Sequence, residues 1–305
     1  MLDSSLLTDF RLTCLERNLG VHATHVYQQG SDPVEQHIWA DDRYELWSGS
    51  KTFTAVAVGM AQAEGRLQLT DHLLDYFPEF ADHAAPGSEA IRVVDLLHMQ
   101  CGKEYDQFQT TDEVEIATTD WAQLFFRGDM VTKPGTHFFY ANGCTYMLSR
   151  LVEKVSGQPL VAYLTPRLFL PLRIANPWWN ADAGGHNLGC TGLQLKLGEF
   201  ARLGQLLLQN GIWDDHQLVP AAFVDALHTD MVSTDHHFDD DEWNAGYGYQ
   251  VWGNLWPGSY RADGMYGQFS VIVPDRQAVV TVLSHNEQST AAVLAAVFND
   301  IVTKL

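Results

Sequence analysis

The chain has 305 residues, 46% of them hydrophobic and 18% charged, and a formal net charge of −20. This composition suits a globular protein with a substantial core and rules against a disordered chain. So acidic a balance repels phosphate backbones, so nucleic acid is not expected as a partner.

The chain opens Met1-Leu2-Asp3-Ser4-Ser5, without a basic stretch followed by an apolar run and a small-residue cleavage site, so no signal peptide is expected and the cytoplasm is the expected location. Residues 2–18 read as an amphipathic helix, 21–27 as a strand and 36–40 as a second strand. The Gln29-Gly30-Ser31-Asp32-Pro33 cluster between the strands makes a hairpin at a sheet edge. Residues 48–64 read as a helix that is apolar almost all the way round, hence buried on most sides, and Gly65 stops it. Its apolar stretch, residues 53–63, is too short to span a bilayer and contains Thr54 and Gln62, so no membrane association is expected.

Residues 67–227 are mostly helical in pattern, with candidate helices at 92–99, 142–156, 159–169 and 192–209. After Trp243 the pattern turns to strands at 247–252, 260–262, 268–273 and 278–283, with Pro274-Asp275-Arg276 as the turn between the last two, and residues 286–305 close the chain as a helix. The expected fold class is α/β plus all-α: an antiparallel sheet flanked by the terminal helices, with a helical lobe inserted. Residues 1–60 and 243–305 are expected to form the sheet lobe and 61–242 the helical lobe, with a site in the cleft between them. Cys14, Cys101, Cys144 and Cys190 are scattered without a C-x-x-C pair, which reads as small buried thiols rather than a zinc or redox site.

Ser48-Gly49-Ser50-Lys51 matches S-x-x-K, a nucleophile signature. Residues three apart share a helix face, so Lys51 at the start of a helix reaches back towards the Ser48 hydroxyl. Unpaired backbone N–H groups and the helix dipole at the same end favour developing negative charge. Alone the tetrapeptide is a weak signal, because Ser48 read as a helix cap accounts for it too. The aromatic-rich Tyr44-Glu45-Leu46-Trp47 ahead of it and the long buried helix behind it raise its weight. Tyr140-Ala141-Asn142, at the mouth of another helix, offers a phenol for proton transfer and an amide to hold a substrate. Taken alone, a buried tyrosine with an asparagine cap explains that tripeptide better.

In order along the chain, these elements resemble the serine β-lactamase-related family: class C β-lactamases, DD-peptidases and the esterases that share their penicillin-binding-protein-like transpeptidase fold. The resemblance is carried by Ser48-Gly49-Ser50-Lys51-Thr52-Phe53-Thr54-Ala55, Asp95-Leu96-Leu97-His98-Met99, Pro134-Gly135-Thr136, Tyr140-Ala141-Asn142, residues 151–157, Pro171-Leu172, Thr191-Gly192-Leu193 and Tyr247-Gly248-Tyr249. It runs over residues 21–302. It implies Ser48 as nucleophile, Lys51 and Tyr140 as the proton-transfer pair with the order of transfer open, and Asn142 as a residue that orients substrate. A small-molecule ester or amide is the implied substrate. Neither a metal nor an organic cofactor is implied.

The family's third motif is a Lys or His, a small hydroxyl residue and a Gly on a strand lining the cleft. Ala262-Asp263-Gly264 aligns to it and keeps only the glycine. Ala262, Asp263, Gly264 and Met265 are therefore the expected substrate-contacting stretch. The backbone N–H groups of Ser48 and Met265 form the implied oxyanion hole, which needs no particular side chain. Asp263 repels a substrate carboxylate, which turns the expectation from β-lactams and peptidoglycan peptides towards a neutral or cationic ester or amide. Arg261 compensates if the register is one residue off.

Several other residues invite a role. His285 reads as a strand-end residue near the site rim, since no G-x-S-x-G elbow supports a Ser-His-Asp triad. Asp235-His236-His237-Phe238-Asp239-Asp240-Asp241 reads as a solvated acidic loop at the cleft entrance rather than a metal site. Trp178, Trp179 and Trp252 fit pocket walls and ordinary packing equally well, and Tyr105 and Phe108 are candidate walls.

Overall fold

The computed structural model describes residues 2–106, 119–234 and 237–305. Phe108, Asp235 and His236, singled out above, lie outside the described residues.

One six-stranded antiparallel sheet draws its strands from both ends of the chain. Its order is β2 (Val34–His37), β1 (Val21–Gln28), β11 (Ala278–Ser284), β10 (Gln268–Val273), β9 (Tyr260–Gly264) and β8 (Trp252–Gly253). The hairpin of β1 and β2 forms the expected edge. All residues of β10 and β11 are buried, so both faces of the central sheet are covered. The period-2 alternation divides them. Phe269, Val271, Val280 and Val282 pack against the N-terminal helix Leu6–Glu16 and the C-terminal helix Thr290–Ala296. Ile272, Val279 and Leu283 belong to the larger core, together with the Ser50–Ala63, Asn142–Ser156 and Leu197–Leu208 helices. The last of these approaches the sheet closely: a Cβ on Gly204 would stand 2.5 Å from Ser270 Oγ.

The Ser50–Ala63 helix is buried at every position from Ser50 to Ala61, as its all-round apolar pattern requires. All four cysteines are buried and free. Among the described residues no helix is long and apolar enough to cross a membrane.

Several expected elements shift. The strand expected at 36–40 is Val34–His37, because the N–H groups of Ile38 and Trp39 both turn onto the His22 carbonyl and leave the ladder. The helix expected from 192 starts at Leu197, because Leu193–Leu195 (β5) pairs between Tyr44–Glu45 (β3) and Trp178–Trp179 (β4) in a second, three-stranded sheet. The closing helix starts at Thr290 rather than 286: the Asn286 side chain accepts from the N–H groups of Gln288 and Ser289, and Ser289 caps the helix. The strand expected at 247–252 is mostly a tight reversal. Gln250 has φ +60 and is 2% exposed, and its amide N–H groups donate to the Leu96 and Leu97 carbonyls at 3.0 and 2.9 Å. A buried polar side chain that finds such partners outweighs a strand-like local pattern.

Candidate active site

The turn before the Ser50–Ala63 helix sets the geometry. Leu46 is fully buried, Trp47 takes a left-handed φ of +50, and Trp47–Gly49 forms a single 3-10 turn that presents Ser48. The Trp47 ring is held edge-on by Tyr266, 5.2 Å away between centroids. Opposite this turn comes the end of β9. A Cβ on Gly264 would fall 2.1 Å from the Leu46 carbonyl oxygen and 3.2 Å from Gly49 N, so only glycine lets the strand come this near. The one retained element of the third motif thus has a steric cause. Ser48, Gly264 and Met265 line one cleft of about 440 Å³.

Lys51 stands one helical turn from Ser48 and is 1% exposed. Its Nζ lies 3.0 Å from Ser48 Oγ, 2.7 Å from Asn142 Oδ1 and 2.9 Å from the Cys190 carbonyl oxygen. The last two are obligate acceptors and take two of the amine's hydrogens. The third direction points at Ser48. It carries an N–H in the ammonium form and a lone pair in the neutral form, so both protonation states fit the same geometry. The Cys190 carbonyl is held there by its neighbours: Thr54 Oγ1 donates to the Gly189 carbonyl (2.9 Å) and Leu193 N–H donates to Ser50 Oγ (3.2 Å). Burial pushes the Cys190 thiol up to about 11, so it stays protonated and the residue serves Lys51 through its backbone.

Asn142 begins the Asn142–Ser156 helix. Its carbonyl accepts from Lys51 and its Nδ2 donates to Asp106 Oδ2 at 2.8 Å. Both ends of the amide are therefore engaged by the protein, and Asn142 is not among the residues lining the cleft. Tyr140 does line it. Its ring stacks on Trp252 (5.3 Å between centroids, 29°) and meets Tyr247 edge-on, with Lys51 Nζ 5.0 Å from its centroid.

On β9, Asp263 lines the cleft and Ala262 does not: Ala262 is 1% exposed and packs into the larger core. Neighbours on a strand point to opposite faces, which removes Ala262 from the expected substrate contacts. Arg261 shares the Asp263 face and is folded away from solvent. Its Nε donates to Asp263 Oδ2 at 2.8 Å, and Nη1 donates to the Gly253 carbonyl (2.7 Å) and Asn254 Oδ1 (2.6 Å). Its guanidinium lies 4.9 Å from the Trp243 ring centroid. The compensation expected from Arg261 is not made, because its donors are taken. Burial raises the Asp263 carboxyl above its ordinary range, against the opposing pull of Arg261 and a hydrogen bond from Trp243.

Phe238, Asp239 and Asp240 from the acidic loop border the cleft, with Trp243 and Trp252. Of the three tryptophans weighed as walls, only Trp252 lines it. Trp178 is 62% exposed, and Trp179 is buried with its indole N–H on the Thr191 carbonyl. Tyr105 is not among the lining residues. His285 follows β11 directly, stacks on Tyr266 and pairs with Glu287 at 3.2 Å. Sequence reasoning missed Asp106, the Cys190 carbonyl and the Arg261–Asp263 pair. A backbone carbonyl leaves no mark in residue type, and Asp106 stands in no motif spacing with Asn142.

The family profile described as Beta-lactamase matches residues 20–302. A curated 6-aminohexanoate-dimer hydrolase of Paenarthrobacter ureafaciens is 26% identical over 303 residues, covering 90% of this chain and 76% of that protein. A putative D-alanyl-D-alanine carboxypeptidase of Escherichia coli (strain K12) is 25% identical over 329 residues, covering 86% and 74%. Among solved structures, a putative 6-aminohexanoate-dimer hydrolase from Bacillus anthracis superposes with a TM-score of 0.80 at 19% identity, over 96% of this chain and 81% of that one. That likeness is one of fold.

Proposed function

The chain belongs to the Beta-lactamase family, and from that premise we propose that it is a serine hydrolase that cleaves a small ester or amide through an acyl-enzyme on Ser48. The observation that carries the reading is the Lys51 amine: 3.0 Å from Ser48 Oγ, with its other two hydrogens held by Asn142 and Cys190.

In this mechanism neutral Lys51 takes the Ser48 proton as Oγ attacks the substrate carbonyl. In this reading the backbone N–H groups of Ser48 and Met265, both residues lining the cleft, meet the developing oxyanion. The proton passes to the leaving alcohol or amine by way of Tyr140, beside Lys51 in the same cleft. The C–O or C–N bond breaks and the acyl group stays on Ser48. Water then attacks the ester, gives its proton back through the same pair and releases the acid.

The cleft also bears on the substrate. Asp239, Asp240 and Asp263 line it beside aromatic walls, which disfavours a carboxylate near the scissile bond and suits a neutral or cationic group. The relative that hydrolyses 6-aminohexanoate dimer, by its name, supports an amide of that kind. The narrower reading, a β-lactamase or DD-peptidase, draws support from the carboxypeptidase relative and is weakened by Asp263.

The test is a fluorophosphonate probe and a short-chain nitrophenyl ester, with Ser48→Ala alongside. Labelling and turnover are expected in the wild type and complete loss of both in the variant. Stoichiometric labelling without turnover leaves a slow acylating sensor module. No labelling and no turnover sinks the hydrolase reading. Faster hydrolysis of a chromogenic cephalosporin than of the ester moves the substrate assignment to the narrower reading.

A further inference from the structure

We infer that Asp106 is a positioning residue that fixes which way the Asn142 amide points and thereby aims Lys51 at Ser48. The inference rests on the hydrolase reading above.

Asp106 is 8% exposed. One of its oxygens, Oδ2, accepts both from the Asn142 backbone N–H at 3.2 Å and from Asn142 Nδ2 at 2.8 Å. The Asn142–Ser156 helix has no side-chain cap from its own N-cap residue, Ala141. A carboxylate 36 residues earlier in the chain therefore supplies an acceptor to its first turn, where the dipole also favours negative charge.

The consequence lies in the amide. The two ends of an asparagine side chain are nearly equal in size, so packing alone does not choose between them. An ionised carboxylate only accepts, so it selects the NH₂ end. That turns the carbonyl to Lys51, where Oδ1 stands 2.7 Å from Nζ. In the flipped amide, NH₂ would face the lysine amine and the carbonyl would face the carboxylate, leaving both contacts unmade. With Asn142 Oδ1 and the Cys190 carbonyl both in place, Lys51 has one free direction and it leads to Ser48. Without the Asn142 anchor, Lys51 keeps the Cys190 carbonyl as its acceptor but loses the second contact that fixes its third direction. Asp106 is not among the residues lining the cleft, so its influence is expected on the chemical step rather than on substrate binding.

Two variants separate this role from others. Asp106→Ala removes the selection. It is expected to slow fluorophosphonate labelling and ester kcat on the order of 10²-fold, the scale of a reacting group misplaced by about 1 Å, with KM within about threefold. Asp106→Asn lacks the charge but offers Asn142 a carbonyl, so it is expected to stay within about fivefold of wild type. Rates are taken per labelled molecule, so a loss of folded protein does not mimic a loss of positioning. An Asp106→Ala enzyme that labels at the wild-type rate overturns the inference. So does an Asp106→Asn enzyme as slow as Asp106→Ala, since the charge itself would then be the active element. A crystal structure of Asp106→Ala gives a readout that needs no turnover: the Asn142 amide is expected to rotate and Lys51 Nζ to leave Ser48. If both stay in place the inference fails, whatever the wild-type enzyme does to an ester. Absence of labelling in the wild type strikes the hydrolase reading instead.

Discussion

Two buried basic side chains beside the cleft are handled in opposite ways. Lys51, on the helical wall, has only neutral hydrogen-bond partners: a hydroxyl, an amide carbonyl and a backbone carbonyl. Arg261, on the sheet wall, is 0% exposed and is paired at 2.8 Å with the Asp263 carboxylate. An arginine never deprotonates, and one paired with a carboxylate holds structure and charge in place. In the proposed mechanism the first wall exchanges a proton, while the second holds a fixed charge.

The sharpest way to break this contrast is to put the second kind of cation in the first place. Lys51→Arg keeps the hydrogen-bond donors but has no accessible neutral form. It is expected to cut the acylation rate by about 10²–10⁴, the range of a lost general base. Stopped-flow labelling measures it, and a variant within tenfold of wild type would contradict proton transfer through Lys51.

The sheet wall is expected to show its effect in stability. Arg261→Met leaves the Asp263 carboxylate buried without its partner and is expected to cost about 3–5 kcal/mol in urea unfolding. Replacing both, as Arg261→Met with Asp263→Leu, is expected to restore most of that loss, because a matched apolar pair carries no desolvation penalty. If the double variant is no more stable than the single one, the pair is not the unit it looks like.

A smaller effect sharpens the comparison by pH. Burial lowers the pKa of His22 and His25 on β1, and of His228, whose ring packs on Tyr260 of β9. The folded protein therefore holds these rings neutral where the unfolded chain, with an ordinary value near 6.5, takes up protons. The stability they contribute is present above the unfolded value and is lost as pH falls from there towards the lower folded values. The thermal midpoint is expected to drop by a few degrees between pH 7.5 and 5.5. A flat or rising midpoint over that window would mean that these sites are hydrated in solution.

Much of the fold was legible because local pattern tracks burial. The Ser50–Ala63 helix, the Asn142–Ser156 helix and β10 stand almost where periodicity and stop residues put them. The 247–252 segment was misread because Gln250 is polar in sequence and buried in the fold, with partners on Leu96 and Leu97 some 150 residues away. Ala262 and Asp263 were named together, and only the strand's alternation separated them: one into the core, the other onto the cleft.

The sequence by itself determined the i, i+3 spacing that puts Lys51 beside Ser48 and the burial of the helix that begins next to them. These are short-range facts of helix pitch and apolar periodicity. Only the tertiary structure decided what holds Lys51. Its acceptors come from residues 91 and 139 positions away, and Asp106 reaches Asn142 across 36. No local pattern encodes those pairings, because a hydrogen bond between distant residues depends on the packing that brings the segments together.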